Sequence, residues 1–412
     1  MSASATRPFP KDLLGNVAAY IEEFDTLLQY GFTSRSFRDA VLPYIFRTLV
    51  ISKGEGITRS LSFDDVSRIS GIVVRVKEID YDASDVNIHA ITGTVSTAFC
   101  CRVLNPCTVG DLLEELPLLV KFPNVHTLRI YFPSDLNAYR EQGENAPTGL
   151  GQRFQSQLFE TCGTLHTNKG FTLKFLEIHG LIPYPGEGLQ DGSFKNFLRP
   201  LKGLGMSLLK VDADFHDSEN DWQAFRKFTG QVVTILQVPT HLENLSYGGD
   251  TLFSGSQERW EQWKELRFPH LKFIHFKDLL LDDVTSDRQP SSSITLQFIL
   301  RHKATLEELI MEGCTIGIDD SITWAEVFNV FEEELENLLY FTFSPLPGRK
   351  TGGTARSGYV QLDLDTGEIA ETTHDDDDDD DEEEDNDEDY EALRAFQETL
   401  QKRQTEMQRG QD

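Results

Sequence analysis

The chain has 412 residues, with 38 Lys and Arg against 68 Asp and Glu, for a formal net charge of -30. A protein that holds DNA or RNA by neutralising phosphates needs a basic face, so this balance excludes nonspecific nucleic-acid binding. No apolar run approaches the roughly 20 residues of a membrane-spanning helix, and the opening MSASATRPFPK lacks the apolar stretch of a secretory signal. These features point to the cytoplasm or nucleus. The length allows two or three domains, and 28 Phe, 11 Tyr and 4 Trp supply large side chains for a core. Five cysteines, an odd number with no C-x-x-C pair, argue against a disulfide framework. Cys100, Cys101 and Cys107 read as buried thiols, because adjacent residues of a regular element point apart and no His stands at ligand spacing. No metal or cofactor is expected.

Residues 1–52 form the first segment. In FPKDLLGNVAAYIEEF, Pro10 suits a first helical turn, and Leu13, Leu14, Val17, Tyr20, Ile21 and Phe24 fall at helical spacing on one broad face. A short second segment over Thr26 to Gln29 is broken by Gly31. Phe37, Ala40 or Val41, and Tyr44 make a third stripe, on a helix ending near Pro43. Three helices this short, with so wide an apolar face, must pack against the next domain or a partner.

The segment resembles the start of an F-box, carried by Phe9-Pro10, Asp12, Leu13, Leu14, Val17 and Ile21. The stretch SRSFRDAVLPYIFRTLVIS, Ser34 to Ser52, is similar to the way many fungal F-box proteins finish the motif. This resemblance implies that Phe9, Pro10, Leu13, Leu14, Val17 and Ile21 bind a Skp-type adaptor, and through it a cullin scaffold.

Residues 53–345 carry a recurring phrase, L-x-x-L-x-apolar. It occurs at Val76/Ile79/Tyr81, Val125/Leu128/Ile130, Leu173/Leu176/Ile178, Leu208/Val211/Ala213, Leu242/Leu245/Tyr247, Leu271/Ile274/Phe276 and Leu306/Leu309/Met311. An eighth is expected at Leu338/Phe341/Phe343. The TLEELIMEGCTI copy, with Cys314 and Ile316 in place, is closest to a leucine-rich repeat, although the intervals are longer than in ordinary ones. Helical stripes lie between the copies: Leu112, Leu113 and Leu116; Phe154, Leu158 and Phe159; Trp222, Phe225, Phe228 and Val232; Trp260 and Trp263; Leu296, Ile299 and Leu300; Trp324, Val327, Phe328 and Phe331. Alternating helix and strand predict an α/β fold with a parallel sheet.

Eight such units could also close into a (β/α)8 barrel. Strands buried on both faces read as continuous apolar runs, whereas polar residues here stand between the apolar ones. One sheet face should therefore meet solvent, as in an open leucine-rich-repeat-like arc whose concave wall suits partner binding. On that wall Arg129, Glu177, Asp212, Ser246, His275 and Glu308 are the candidate target-binding residues.

Residues 346–374 read as a linker, basic and small in PGRKTGGTARSG, with a hairpin signature where Val360, Leu362 and Leu364 alternate before Asp365-Thr366-Gly367. Residues 375–412 form an acidic tail. Positions 375–391 hold 15 acids in 17 places, a run that repels itself and should be disordered. Beyond it a terminal helix shows only Leu393, Phe396 and Leu400 as an apolar stripe. No P-loop, nucleophile elbow, H-E-x-x-H or dinucleotide fingerprint occurs, so no enzyme is expected. With the F-box resemblance, the expected function is substrate recognition in a Skp–cullin–F-box ubiquitin ligase. The alternative is a non-catalytic scaffold whose acidic tail engages a basic protein.

Overall fold

In a computed structural model of the chain, the described residues are 11–21, 24–53, 63–82, 100–105, 113, 116–132, 150–168, 170–209, 219–249, 262–281, 293–317, 322–345, 358–360 and 387–410. The chain divides into two compact units after Ile178.

The first unit opens with α1 (Lys11–Ala19), α2 (Phe24–Thr33) and α3 (Arg35–Ile45). Ser34 caps α3 by accepting a hydrogen bond from the Phe37 amide, and the helix runs through Pro43 to Ile45. It thus ends two residues later than its sequence predicts, because a proline in the last turn deprives only one carbonyl of its donor. Ala18, Leu27, Val41 and Ile45 form a closed core, with Ile21, Leu28, Tyr30, Tyr44 and Phe46 packed around it. After α3 come β1 (Thr48–Lys53), α4 (Phe63–Ser67), α5 (Ser70–Val73), β2 (Glu78–Asp82), β3 (Cys100–Asn105), β4 (Thr127–Tyr131), α6 (Leu150–Leu165) and β5 (Phe175–Leu181), inside which the division falls. The strand β1 pairs in parallel with both β2 and β3, and β2 with β4.

The second unit continues with α7 (Glu187–Gln190), α8 (Gly192–Leu198), β6 (Gly203–Leu208), α9 (Glu219–Leu236), β7 (Asn244–Gly248), β8 (Phe273–Lys277), α10 (Ile294–Arg301), β9 (Glu308–Glu312), β10 (Ile316–Gly317), α11 (Trp324–Glu334), β11 (Tyr340–Ser344), β12 (Tyr359–Val360) and α12 (Asp387–Arg409). The strands β6, β7, β8, β9 and β11 lie side by side in parallel, and β10 pairs with β12. The parallel strands alternating with helices are as the phrase predicts. Its apolar positions face the helices: Leu245, Ile274, Phe276, Leu309 and Met311 are all fully buried.

Backbone hydrogen bonds give the repeat its register. At each strand start, one carbonyl accepts from two successive amides of the next strand. Arg47 O takes Lys77 and Glu78, Lys77 O takes His126 and Thr127, Glu243 O takes Lys272 and Phe273, and Glu307 O takes Leu339 and Tyr340. This register makes two corrections. Leu49 and Ile51 align with Ile79 and Tyr81, so Phe46/Leu49/Ile51 is a further copy of the phrase. In the second unit Leu204 and Met206 align with Leu245 and Tyr247, so the fourth copy is Leu201/Leu204/Met206 and not Leu208/Val211/Ala213. Gly203 and Gly205 hide it, since glycine reads as a break in a strand pattern. The stripe at Leu112, Leu113 and Leu116 gives a 3-10 helix over Leu116–Lys121, with Leu116 and Leu119 buried.

A left-handed residue recurs just beyond the strands. Gly180, Asp278 and Gly313 have φ of 71°, 50° and 64°, each seven positions after its phrase begins. At Gly313 a Cβ would also collide with Asp278 Oδ1. The turn between strand and next segment therefore requires glycine at 313 on two grounds.

The C-terminal helix departs most from expectation. The last residues of the acidic run are helical: α12 begins at Asp387 and lies against α11 and β11. Asp389 is 9% exposed and takes part in the N-terminal cap of α11. Its Oδ1 accepts from the Ala325 amide at 2.8 Å, and its Oδ2 from the Tyr359 hydroxyl at 2.8 Å, which itself accepts from the Trp324 amide at 2.9 Å. Thr323 and Glu326 complete a capping box. At the other end of α11, the Arg403 guanidinium donates to the carbonyls of Glu332 and Leu335 at 2.9 and 2.6 Å. Phe396 is fully buried, with ring centroids 5.1 Å from Phe341 and 6.3 Å from Phe331. One helix thus satisfies orphan groups at both ends of its neighbour. Positions 375–386 and the hairpin signature around Leu362 and Leu364 lie outside the described residues.

Candidate partner-binding site

The broad apolar face of α1 resolves into two stripes. Leu14 and Ala18 are 3% and 2% exposed, and Ala18 and Ile21 pack with residues of α2 and α3. Leu13, Val17 and Tyr20 stand 46%, 37% and 87% exposed, at the i, i+4, i+7 spacing of one helix face. Of the residues expected to bind an adaptor, Leu13 and Val17 therefore stand outward. Leu14 is buried, Ile21 packs against the core of the helical trio, and Phe9 and Pro10 lie outside the described residues. Phe32, 77% exposed, adds an aromatic ring on α2. Folding of the three helices leaves the Leu13 stripe facing water.

The strand face opposite the helices differs between the units. In the first it is covered in part: Asp80, Asp82, Thr127 and Tyr131 are 1–7% exposed, while the Arg129 and Glu177 side chains are 26% and 36% exposed. Burial of a carboxylate is costly without a partner, and Arg129 supplies one. Its Nη1 donates to Glu78 Oε2 and Asp80 Oδ1, and its Nε to Glu177 Oε2, each at 3.1 Å. Arg47 donates to Glu78 from the other side at 2.9 Å. Burial opposes ionisation of Glu78, but the Arg129 and Arg47 guanidiniums outweigh it and hold the carboxyl below its ordinary range. Arg129 and Glu177 meet, and they spend their charge on each other and on β2. They staple three strands instead of presenting a free cation to a target.

In the second unit the face is open. Ser246 and His275 stand on β7 and β8 between buried neighbours, and Glu308 opens β9 just before the buried Leu309. Ser246 Oγ lies 3.3 Å from His275 Nδ1, and His275 Nε2 lies 3.2 Å from Glu312 Oε2, which also meets Lys277 at its other oxygen, 3.5 Å away. The order serine, histidine, glutamate resembles a nucleophilic relay. However, β7 is flanked by β6 and β8, so its amides serve the ladder instead of an oxyanion. Asp212 lies outside the described residues, and the register places Gly205 opposite Ser246.

Sequence reasoning missed two members of this face, Phe273 and Tyr340. Both occupy the row of Glu308, across adjacent strands. The available signal was the alternation itself: each directly precedes an apolar residue of the phrase, Ile274 or Phe341.

Among the described residues, no group of three His, Cys, Asp or Glu is placed to hold a metal ion, and no helix is long and apolar enough to cross a membrane. Burial pushes the Cys162 and Cys314 thiols up to about 12, so both remain protonated and unreactive at neutral pH. No protein-family model matches the chain, and neither does any curated protein.

Proposed function

We propose that the chain is the substrate-recognition subunit of a Skp–cullin–F-box ubiquitin ligase, whose repeat forms an open arc. The observation that carries this reading is the exposed Leu13, Val17 and Tyr20 stripe on a helical trio that already has its own core. An apolar stripe left in water by a folded unit marks a protein contact, and the F-box resemblance covers the same helix. The Skp-type adaptor takes this stripe. The target lies on the open strand face of the second unit, where Ser246, His275 and Glu308 stand.

The test is a pulldown of the full chain against purified Skp-type adaptor. Val17→Asp, at an exposed position, abolishes capture and leaves the circular dichroism spectrum unchanged. Failure of the well-folded full chain to bind any Skp-type adaptor from the same kind of cell sinks the ligase reading. The protein would then be pursued as a scaffold, with the acidic run at 375–391 as a salt-sensitive contact for a basic partner.

A further inference from the structure

The first row of the open strand face in the second unit crosses four strands. Asn244 on β7 pairs in register with Phe273 on β8, Phe273 with Glu308 on β9, and Glu308 with Tyr340 on β11. The neighbours Leu245, Ile274 and Leu309 are fully buried on the helix side. Phe273, Glu308 and Tyr340 therefore rise from the other face, standing roughly perpendicular to the sheet. A carboxylate is thus held between two aromatic rings.

Spacing and charge both bear on what fits there. Neighbouring strands lie about 4.8 Å apart, so a group centred over Glu308 is about 5 Å from each flanking ring. That is inside the roughly 6 Å at which a cation is attracted to an aromatic face. The other carboxylates at these strands are engaged. Glu243 meets Lys202, Glu307 meets Lys272, and Glu312 meets His275 and Lys277. The Glu308 carboxylate makes no hydrogen bond or ion pair with any described residue, its backbone amide being taken by the Lys272 carbonyl. Tyr340, 56% exposed on the last strand, leaves the row open at that end.

We infer that Phe273, Glu308 and Tyr340 form a pocket that captures an arginine side chain of the target protein. The guanidinium is planar, so it stacks between two rings while its fork of N–H donors points down onto the carboxylate. A lysine ammonium satisfies the charge but not the stacking. The inference rests on the open strand face being the target-binding surface, and it names what that surface selects.

The test uses the full chain labelled with 3-fluorotyrosine, with the Tyr340 fluorine resonance assigned through Tyr340→Phe. The probes are the capped tripeptides Gly-Arg-Gly, Gly-Lys-Gly and Gly-citrulline-Gly. The arginine peptide should shift the Tyr340 resonance saturably, the citrulline peptide should not, and Glu308→Gln should weaken the arginine response about tenfold without changing the melting temperature. An unmoved Tyr340 resonance, an equal response to citrulline or lysine, or indifference to Glu308→Gln overturns the pocket. The two readings fail separately. Adaptor capture with a silent Tyr340 removes the pocket and keeps the ligase, whereas an arginine response without adaptor capture keeps the pocket and removes the ligase.

Discussion

Arg129 serves three carboxylates, and the least exposed of them sets the cost of losing it. Asp80 is 1% exposed, so Arg129→Ala strips a buried carboxylate of its guanidinium. The expected loss is about 3–5 kcal/mol in urea unfolding, with part recovered when Asp80→Asn is added. A loss below about 1 kcal/mol would show that the cluster is not the staple described. His302 gives a pH-dependent counterpart. It is 4% exposed, with its Nδ1 2.8 Å from the Phe298 carbonyl and its Nε2 accepting from the Phe268 amide at 3.1 Å. Acceptance at Nε2 requires the neutral ring, and burial pushes its pKa down to about 4 against the opposing pull of the Phe298 carbonyl. The folded value lies below the unfolded one of about 6.5, so the unfolded chain binds the extra proton first. Stability is therefore full above about pH 6.5 and falls as pH drops from there toward 4, by on the order of 3 kcal/mol. Melting temperatures across that window should fall for the native chain and fall less for His302→Gln. Neither role was legible in the sequence. Arg129 reads there as a polar residue on a strand, but Asp80 lies 49 positions away, and only the parallel register brings them together.

Among the elements, strands were read well where a phrase alternates leucine-like and polar residues, and poorly where small residues interrupt it. β6 was displaced by seven positions because Gly203 and Gly205 carry no side chain to alternate. The stripe on α1 was legible as a set, but its division was not. Leu13 with Val17 and Leu14 with Ala18 have identical spacing, and only the placement of α2 and α3 decides which pair is buried. α12 shows a similar limit. Leu393, Phe396 and Leu400 announce a helix, while its docking depends on Tyr359 and Trp324, which lie 30 and 65 positions before Asp389. Phe396→Ala should cost about 3–5 kcal/mol by emptying a buried site. Asp389→Ala should cost about 1–2 kcal/mol by uncapping α11. Hydrogen exchange distinguishes them from a global effect: amides of α12 and of the first turn of α11 should lose protection before those of β7 and β8. Equal loss everywhere would mean that α12 is not a separable element.

For the whole molecule, a net charge of -30 works against compactness through self-repulsion. Positions 375–385 contribute 11 of those charges, so deleting 375–386 leaves -30 + 11 = -19. Adding salt up to a few tenths molar should raise the melting temperature of the full chain, and raise it less after the deletion, because screening has less to relieve. A deletion with the same salt response as the full chain would show that the run is electrically remote from the fold. The helix that follows the run has a different consequence. A stacked repeat sets no length for itself, since every strand-helix layer is a template for another. Growth ends only where a layer stops offering an apolar surface, and α12 provides that stop by covering Phe331 and Phe341. Copies shortened before Asp387 should therefore add end to end, forming particles that light scattering sees lengthen with concentration, while the intact chain does not polymerise through that end.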